Sequence, residues 1–184
     1  MNVIVSMLRG INLGANRRIQ MDALRSMYES LGLKDPRTYV QSGNVVFRTR
    51  EKDLARLARK IEKGIEAEFG FHSDVVLRSS AEMRDAIARN PFAARPEVEP
   101  AKLLVTFLGS DPGAEAREKI AAVPTGSDEL RMDGREIYVY FPNGIGKSKL
   151  SWPAIDRALK MSWTGRNWNS VNKLLEMAVQ MEAE

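Results

Sequence analysis

Between Leu8 and Ile19 the chain reads Arg9-Gly10-Ile11-Asn12-Leu13-Gly14-Ala15-Asn16-Arg17-Arg18, three arginines and no acid among glycines and asparagines. Gly10 and Gly14 permit backbone angles that a side chain forbids, and Asn12 and Asn16 tolerate left-handed turns. A loop of exposed amides and guanidinium groups suits an anion. A second stretch of the same kind is Asn143-Gly144-Ile145-Gly146-Lys147-Ser148-Lys149. It resembles a phosphate-binding loop, but that pattern needs a glycine five residues before Gly146-Lys147-Ser148, where this chain has Phe141. What remains is a glycine-rich turn with two lysines ahead of a helix capped by Ser151. The third stretch is Trp163-Thr164-Gly165-Arg166-Asn167-Trp168-Asn169-Ser170. There Thr164 or Asn167 is expected to cap the last helix, with Arg166 in its first turn or just before it. A cation at that positive end either turns to a carboxylate or helps the helix hold an anion.

Much chemistry is excluded. The chain has no cysteine and one histidine, His72, which removes disulfides, thiolate sites, thiol nucleophiles and most histidine-based metal and triad chemistry. His72-Ser73-Asp74 has the residue types of a triad, but neighbours on a strand point to alternate sides, so it is read as structural. No metal site and no cofactor are expected, and no residue is identified as catalytic. A general base would be a carboxylate, a lysine or a tyrosine.

The formal charge of +4 is unevenly placed. Residues 1 to 20 carry +3 and residues 135 to 175 carry +5, leaving −4 for the rest of the chain. A positive field confined to the glycine- and asparagine-rich loops favours an anionic ligand over a diffuse nucleic-acid coat. No run approaches the roughly 18 to 20 apolar residues of a membrane span, and the start lacks the pattern of a signal peptide, so a cytoplasmic location and no membrane partner are expected.

The elements that must position these loops follow from periodicity. Asn2 to Leu8 is a continuous apolar run, as in a central strand, and Met21, Leu24, Tyr28 and Leu31 recur at helical spacing up to a stop at Gly32. Arg37–Gln41 and Asn44–Arg48 read as a hairpin turning at Ser42-Gly43 or at Gly43-Asn44. Leu54, Leu57, Ala58, Ile61, Ile65 and Phe69 mark a long amphipathic helix. Ser73–Arg78 is a fourth strand, and Ser79-x-x-Glu82 is a capping box opening a helix to about Asn90.

That order, βαββαβ, is the ferredoxin-like arrangement. Pro91, Pro96 and Pro100 then mark a boundary. Val3–Leu8 and Leu103–Leu108 match in residue type position by position, 100 residues apart, which signals duplication. Asp111-Pro112 predicts a helix start running to about Val123. Asp133-Gly134 predicts a type I′ hairpin that sets Arg131 opposite Glu136. The second half therefore reads βαββα, without a fourth strand, and Trp168, Val171, Leu175 and Ala178 form the apolar stripe of a C-terminal helix. The expected fold is α+β: two ferredoxin-like-related subdomains, antiparallel sheets backed by helices, over 1–90 (with a connecting helix at 80–90) and 97–184.

Four blocks carry a resemblance: Leu8-Arg9-Gly10-Ile11-Asn12; Gln41-Ser42-Gly43-Asn44-Val45-Val46-Phe47; Gly144-Ile145-Gly146 with Ser148-Lys149-Leu150; and Arg166-Asn167-Trp168-Asn169. Together they resemble the bacterial domain of unknown function 1697 family over nearly the whole chain. The resemblance implies an α+β protein of two ferredoxin-related subdomains and no established activity.

The functional expectation is a cleft between the subdomains that binds an anionic, phosphate-bearing small molecule or nucleotide. Its expected residues are Arg9, Gly10, Asn12, Gln41, Ser42, Asn44, Gly144, Gly146, Ser148, Lys149, Arg166, Asn167 and Asn169. The alternatives are an enzyme acting on a phosphorylated or nucleotide substrate and a protein that binds single-stranded nucleic acid, the latter weakened because Ile137–Phe141 lacks the glycine-aromatic pattern of RNA-recognition sheets.

Overall fold

The computed structural model describes every residue, Met1–Glu184. Its first sheet is built by β1 (Asn2–Leu8), β2 (Lys34–Tyr39), β3 (Asn44–Thr49) and β4 (Val75–Ser79), in the order β2-β3-β1-β4. Helices α1 (Met21–Ser30) and α2 (Leu54–Phe69) connect those strands, and α3 (Ser80–Ala88) follows. The second sheet comprises β5 (Leu103–Leu108), β6 (Glu129–Asp133), β7 (Glu136–Tyr140) and β8 (Trp163–Asn167), in the order β6-β7-β5-β8. It is connected by α4 (Gly113–Ala121) and α5 (Trp152–Leu159) and followed by α6 (Trp168–Ala183). Every strand pair is antiparallel.

Each half therefore runs βαββαβ and then a helix. β1 and β5 hold the same place in their sheets, so the match between Val3–Leu8 and Leu103–Leu108 reflects a duplicated α+β unit. The chain divides into one unit of Met1–Asp85 with Asn172–Glu184 and another of Ala86–Val171.

Local chemistry accounts for the boundaries. Gly32, at φ +78°, ends α1 in a Schellman arrangement, with the Gly32 amide on Glu29 O and the Leu33 amide on Tyr28 O. Asp53 caps α2 by accepting from the Arg56 amide, and Gly70 closes it in the left-handed conformation. Ser79 and Glu82 form the reciprocal capping box: Ser79 Oγ accepts from the Glu82 amide and Glu82 Oε2 from the Ser79 amide.

The first core joins Ile4, Leu8, Val45 and Phe47 of the sheet to Leu24 and Tyr28 of α1 and Leu57, Ile61 and Ile65 of α2. The second joins Ile137, Val139 and Leu108 to Ile120 of α4 and Ile155 and Leu159 of α5. Residues on the opposite pleat, among them Val3, Val5 and Met7 on β1 and Val105 and Phe107 on β5, are buried as well. Burial on both faces explains why these central strands read as unbroken apolar runs.

Several expectations are corrected. The second unit has a fourth strand, β8: Trp163–Asn167 pairs with β5, and α6 starts only at Trp168. A five-residue strand holding a glycine, two polar residues and one arginine gives no period-2 apolar signal, which hid it. The first hairpin turns through four residues, Val40–Gly43, because Tyr39 pairs with Asn44. β2 and β4 lie at Lys34–Tyr39 and Val75–Ser79, displaced from the segments expected. In the second hairpin Asp133 pairs with Glu136, so Gly134-Arg135 is the turn and Arg131 faces Tyr138 rather than Glu136. Gly134 alone of the two has positive φ, the type II′ pattern and not type I′. Asp111 does accept a helix-opening amide, that of Gly113, but α4 begins there, after Pro112.

Candidate functional site

The β1–α1 loop is pinned at both ends by apolar side chains, since Ile11 and Ile19 are buried in the first core. Between them Asn12, at φ +55°, is the brace. Its Nδ2 donates to Ile19 O (3.0 Å) and Gln41 O (2.7 Å), its Oδ1 accepts from the Ile19 amide (2.9 Å), and its own amide donates to Arg17 O. The Asn12 side chain is thus committed to tying the loop to itself and to the β2–β3 turn. Gly43 completes the junction, its carbonyl accepting the Leu8 amide at 2.9 Å. Asn44 is buried and donates to Tyr39 O and Ser42 Oγ across the base of the turn. Arg9, Gly10, Asn12, Gln41, Ser42 and Asn44 are therefore brought together at the Leu8 end of the first sheet, with Asn12 and Asn44 as architecture.

The arginines divide by role. Arg17 donates to His72 O (2.8 Å) and lies 5.1 Å from the centre of the Phe71 ring. Arg9 stands 3.5 Å from the Asp74 carboxylate, which also meets His72 Nε2 at 3.0 Å. Ser73 Oγ donates to Arg9 O, so His72-Ser73-Asp74 anchors the loop and is no triad. Arg18 uses only Nε, on Gly14 O at 3.0 Å, which leaves both terminal amino groups for a ligand.

Arg18 lines an open depression of about 970 Å³ with Asn12, Gly14, Gln20, Asp22 and Gln41. The amides of Gly14 to Arg18 donate to no group of the chain. α1 begins at this depression without a side-chain cap, because Gln20 makes no capping bond. An uncapped helix start, free loop amides and an arginine fork give a positive wall. Asp22 opposes it, but its exposed carboxylate is paired with Arg25.

In the second unit the Asn143–Lys149 stretch forms a single 3₁₀ turn, Ile145–Lys147, entered through Gly144 at φ +85°. Its Lys147 and Ser148 amides bond back to Gly144 O and Ile145 O, and Ser148 Oγ donates to Asp128 at 2.6 Å. Those groups hold the turn. Lys149 and Gly146 remain exposed. Ser151 caps α5 as expected, accepting from the Ala154 amide.

Arg166 lies on β8 opposite Val105, buried to 7% exposure, with Nη1 donating to Thr164 Oγ1 (2.7 Å) and Gly165 O (2.8 Å). Burial alone pushes its pKa down to about 10. Asn167 is the cap of α6, accepting from the Ser170 amide, while Asn169 is exposed and Trp168 half-buried. The strand register sets both second-unit blocks at the Leu103 end of the second sheet, since Tyr140 and Asn167 pair with Leu103 and Leu104.

Arg18, Gln20 and Asp22 line the depression and were absent from the sequence-based set, although Arg18 lay in the loop singled out. On β7, Tyr138 and Tyr140 are buried, with the Tyr138 hydroxyl on Ala86 O, so these rings offer no stacking platform to a single strand.

The chain belongs to the family of proteins of unknown function DUF1697, whose model matches residues 1–138. Among solved structures it is similar to the conserved bacterial protein SP0830 from Streptococcus pneumoniae, at 20% identity and a TM-score of 0.70 over 96% of this chain and 98% of that one. No curated protein matches it.

Proposed function

We propose that this DUF1697 member binds an anionic, phosphate-bearing small molecule in the depression beside the β1–α1 loop. The observation that carries the reading is a difference between the two repeats. After β1 the chain takes twelve residues, 9 to 20, to reach its helix, whereas after β5 it takes four, 109 to 112. The same fold closes with the short connection, so the longer one is not needed to complete the unit. Connections of this kind run to about 2–6 residues, and longer ordered ones carry function. The extra residues hold Arg18, the free amides and the approach to the α1 N-terminus, which together favour phosphate oxygens.

Thermal-shift titration with inorganic pyrophosphate, sugar phosphates and nucleoside phosphates tests this. A ligand at one hundred times its Kd stabilises the folded state by about 2.7 kcal/mol. Arg18→Ala should abolish the shift and leave the melting of the unliganded protein unchanged, because Arg18 is exposed. No shift with any phosphate compound, or an equal shift in Arg18→Ala, would refute the site. Turnover of a bound phosphoester, lost in Asp22→Asn, would turn the reading from binding to catalysis.

A further inference from the structure

A second depression, of about 420 Å³, opens at the other end of the first sheet, where Thr49 pairs with Asn2. Its lining is apolar, with Leu31, Leu33 and Leu57, and its rim is cationic, with Lys34, Arg50 and Lys60. Lys60 is accounted for: its Nζ donates to Leu31 O at 2.7 Å, a cation on the negative end of α1. Lys34 and Arg50 are not. Asp35, beside Lys34, is taken by Arg48. The one acid in the lining, Glu51, accepts the Lys52 and Asp53 amides and reaches Arg56. Lys34 on β2 and Arg50 just past the end of β3 both line the depression, and neither is paired with a carboxylate.

Two exposed cations without a carboxylate partner at the rim of an apolar depression favour an anionic head group there. Backbone donors are few here, because the amides of Gly32 and Leu33 close α1 and that of Glu51 donates to Thr49 Oγ1. A compact phosphate, which uses several amide donors, is poorly served, whereas a carboxylate with an aliphatic tail matches both wall and rim. We propose that this depression binds an aliphatic carboxylate, its chain against Leu31, Leu33 and Leu57 and its head between Lys34 and Arg50.

The proposal is independent of the phosphate site. Decanoate titrated into ¹⁵N-labelled protein should move the amides of Leu31–Lys34 and Thr49–Glu51 saturably. Decanol, with the same chain, and acetate, with the same head, should each bind about ten-fold more weakly or not at all. Lys34→Glu with Arg50→Glu should weaken decanoate by about ten-fold or more while leaving the amides of α2 and β4 in place. Arg18→Ala should bind decanoate as the parent does. Absence of saturable shifts at these residues, equal binding of decanol, or full binding by the charge-reversed variant would each overturn the assignment.

Discussion

Thr106 occupies in the second sheet the position that Ser6 occupies in the first, yet Ser6 Oγ meets the Tyr28 hydroxyl at 2.7 Å while the buried Thr106 hydroxyl has no partner. The strand registers make the two equivalent: Ser6 lies between Val45 and Leu77, and Thr106 between Ile137 and Gly165. α1 supplies a tyrosine below its strand, whereas α4 buries only Ala116 and Ile120. An unmet buried hydroxyl costs about 1–3 kcal/mol, and an isosteric apolar replacement removes that cost. Thr106→Val should therefore raise the urea midpoint, with a gain of about 1 kcal/mol in unfolding free energy. Ser6→Ala should lower it, because it strands the Tyr28 hydroxyl, a group whose own pKa burial already raises. Opposite signs at equivalent positions are the test, and a destabilised Thr106→Val would defeat the argument.

Arg78 and Arg166 form a second repeat-related pair, opposite Val5 and Val105, exposed by 1% and 7%. Each donates Nη1 to the carbonyl of the preceding residue, Leu77 or Gly165. A guanidinium at the same place in both units reads as part of the duplicated architecture. Arg166→Ala removes packing and leaves buried acceptors, so it should cost about 2–4 kcal/mol of folding stability without any ligand present. Arg78→Ala should behave alike. Urea unfolding of both variants within about 0.5 kcal/mol of the parent would show that neither arginine is structural.

These two pairs mark how far the sequence could be read. The match of Val3–Leu8 with Leu103–Leu108 disclosed the duplication, because a strand buried on both faces writes itself as an apolar run. The capping box at Ser79 and the stop at Gly32 were legible because their chemistry is local. β8 was not, since Trp163–Asn167 is a strand by virtue of its pairing with β5 and not of its composition. Arg166 was misplaced with it. Within the basic loop, composition could not tell Arg17, which ties the loop to His72 O, from Arg18, whose terminal nitrogens are free; that distinction belongs to tertiary hydrogen bonding.

Glu62 gives a pH prediction. Burial holds its carboxyl above the ordinary value of 4.5, outweighing the Val75 amide that donates to Oε1 at 3.0 Å. With the folded pKa raised, the native state binds more protons than the unfolded chain as pH climbs from 4.5, and stability falls through that window. Glu62→Gln keeps the acceptor for Val75 and removes the charge. Its urea midpoint should exceed the parent's at pH 7, and the gap should close below about pH 3.5, where Glu62 is protonated in both states. A lower midpoint at pH 7 would show that the charge is net favourable.

Gly43 joins the β2–β3 turn to the start of the basic loop, and its need for glycine has two separable causes. It sits at φ +80°, and a Cβ there would lie 2.7 Å from Leu8 Cβ and 2.9 Å from Ile11 Cδ1. Leu8 Cβ is fixed by the central strand and cannot yield. Gly10, at φ +66°, has the same conformational demand but nothing within 4 Å of its Cβ. Gly10→Ala should thus cost the left-handed conformation alone, about 1–2 kcal/mol. Gly43→Ala should add the overlap with Leu8 and Ile11, for a loss of about 2–4 kcal/mol. It should also displace Gln41, and with it the Asn12 bond that holds the loop, so amide exchange at Leu13–Arg18 should quicken in Gly43→Ala beyond what Gly10→Ala produces. Equal losses in the two alanine variants would mean that the turn and loop are not packed against each other as described.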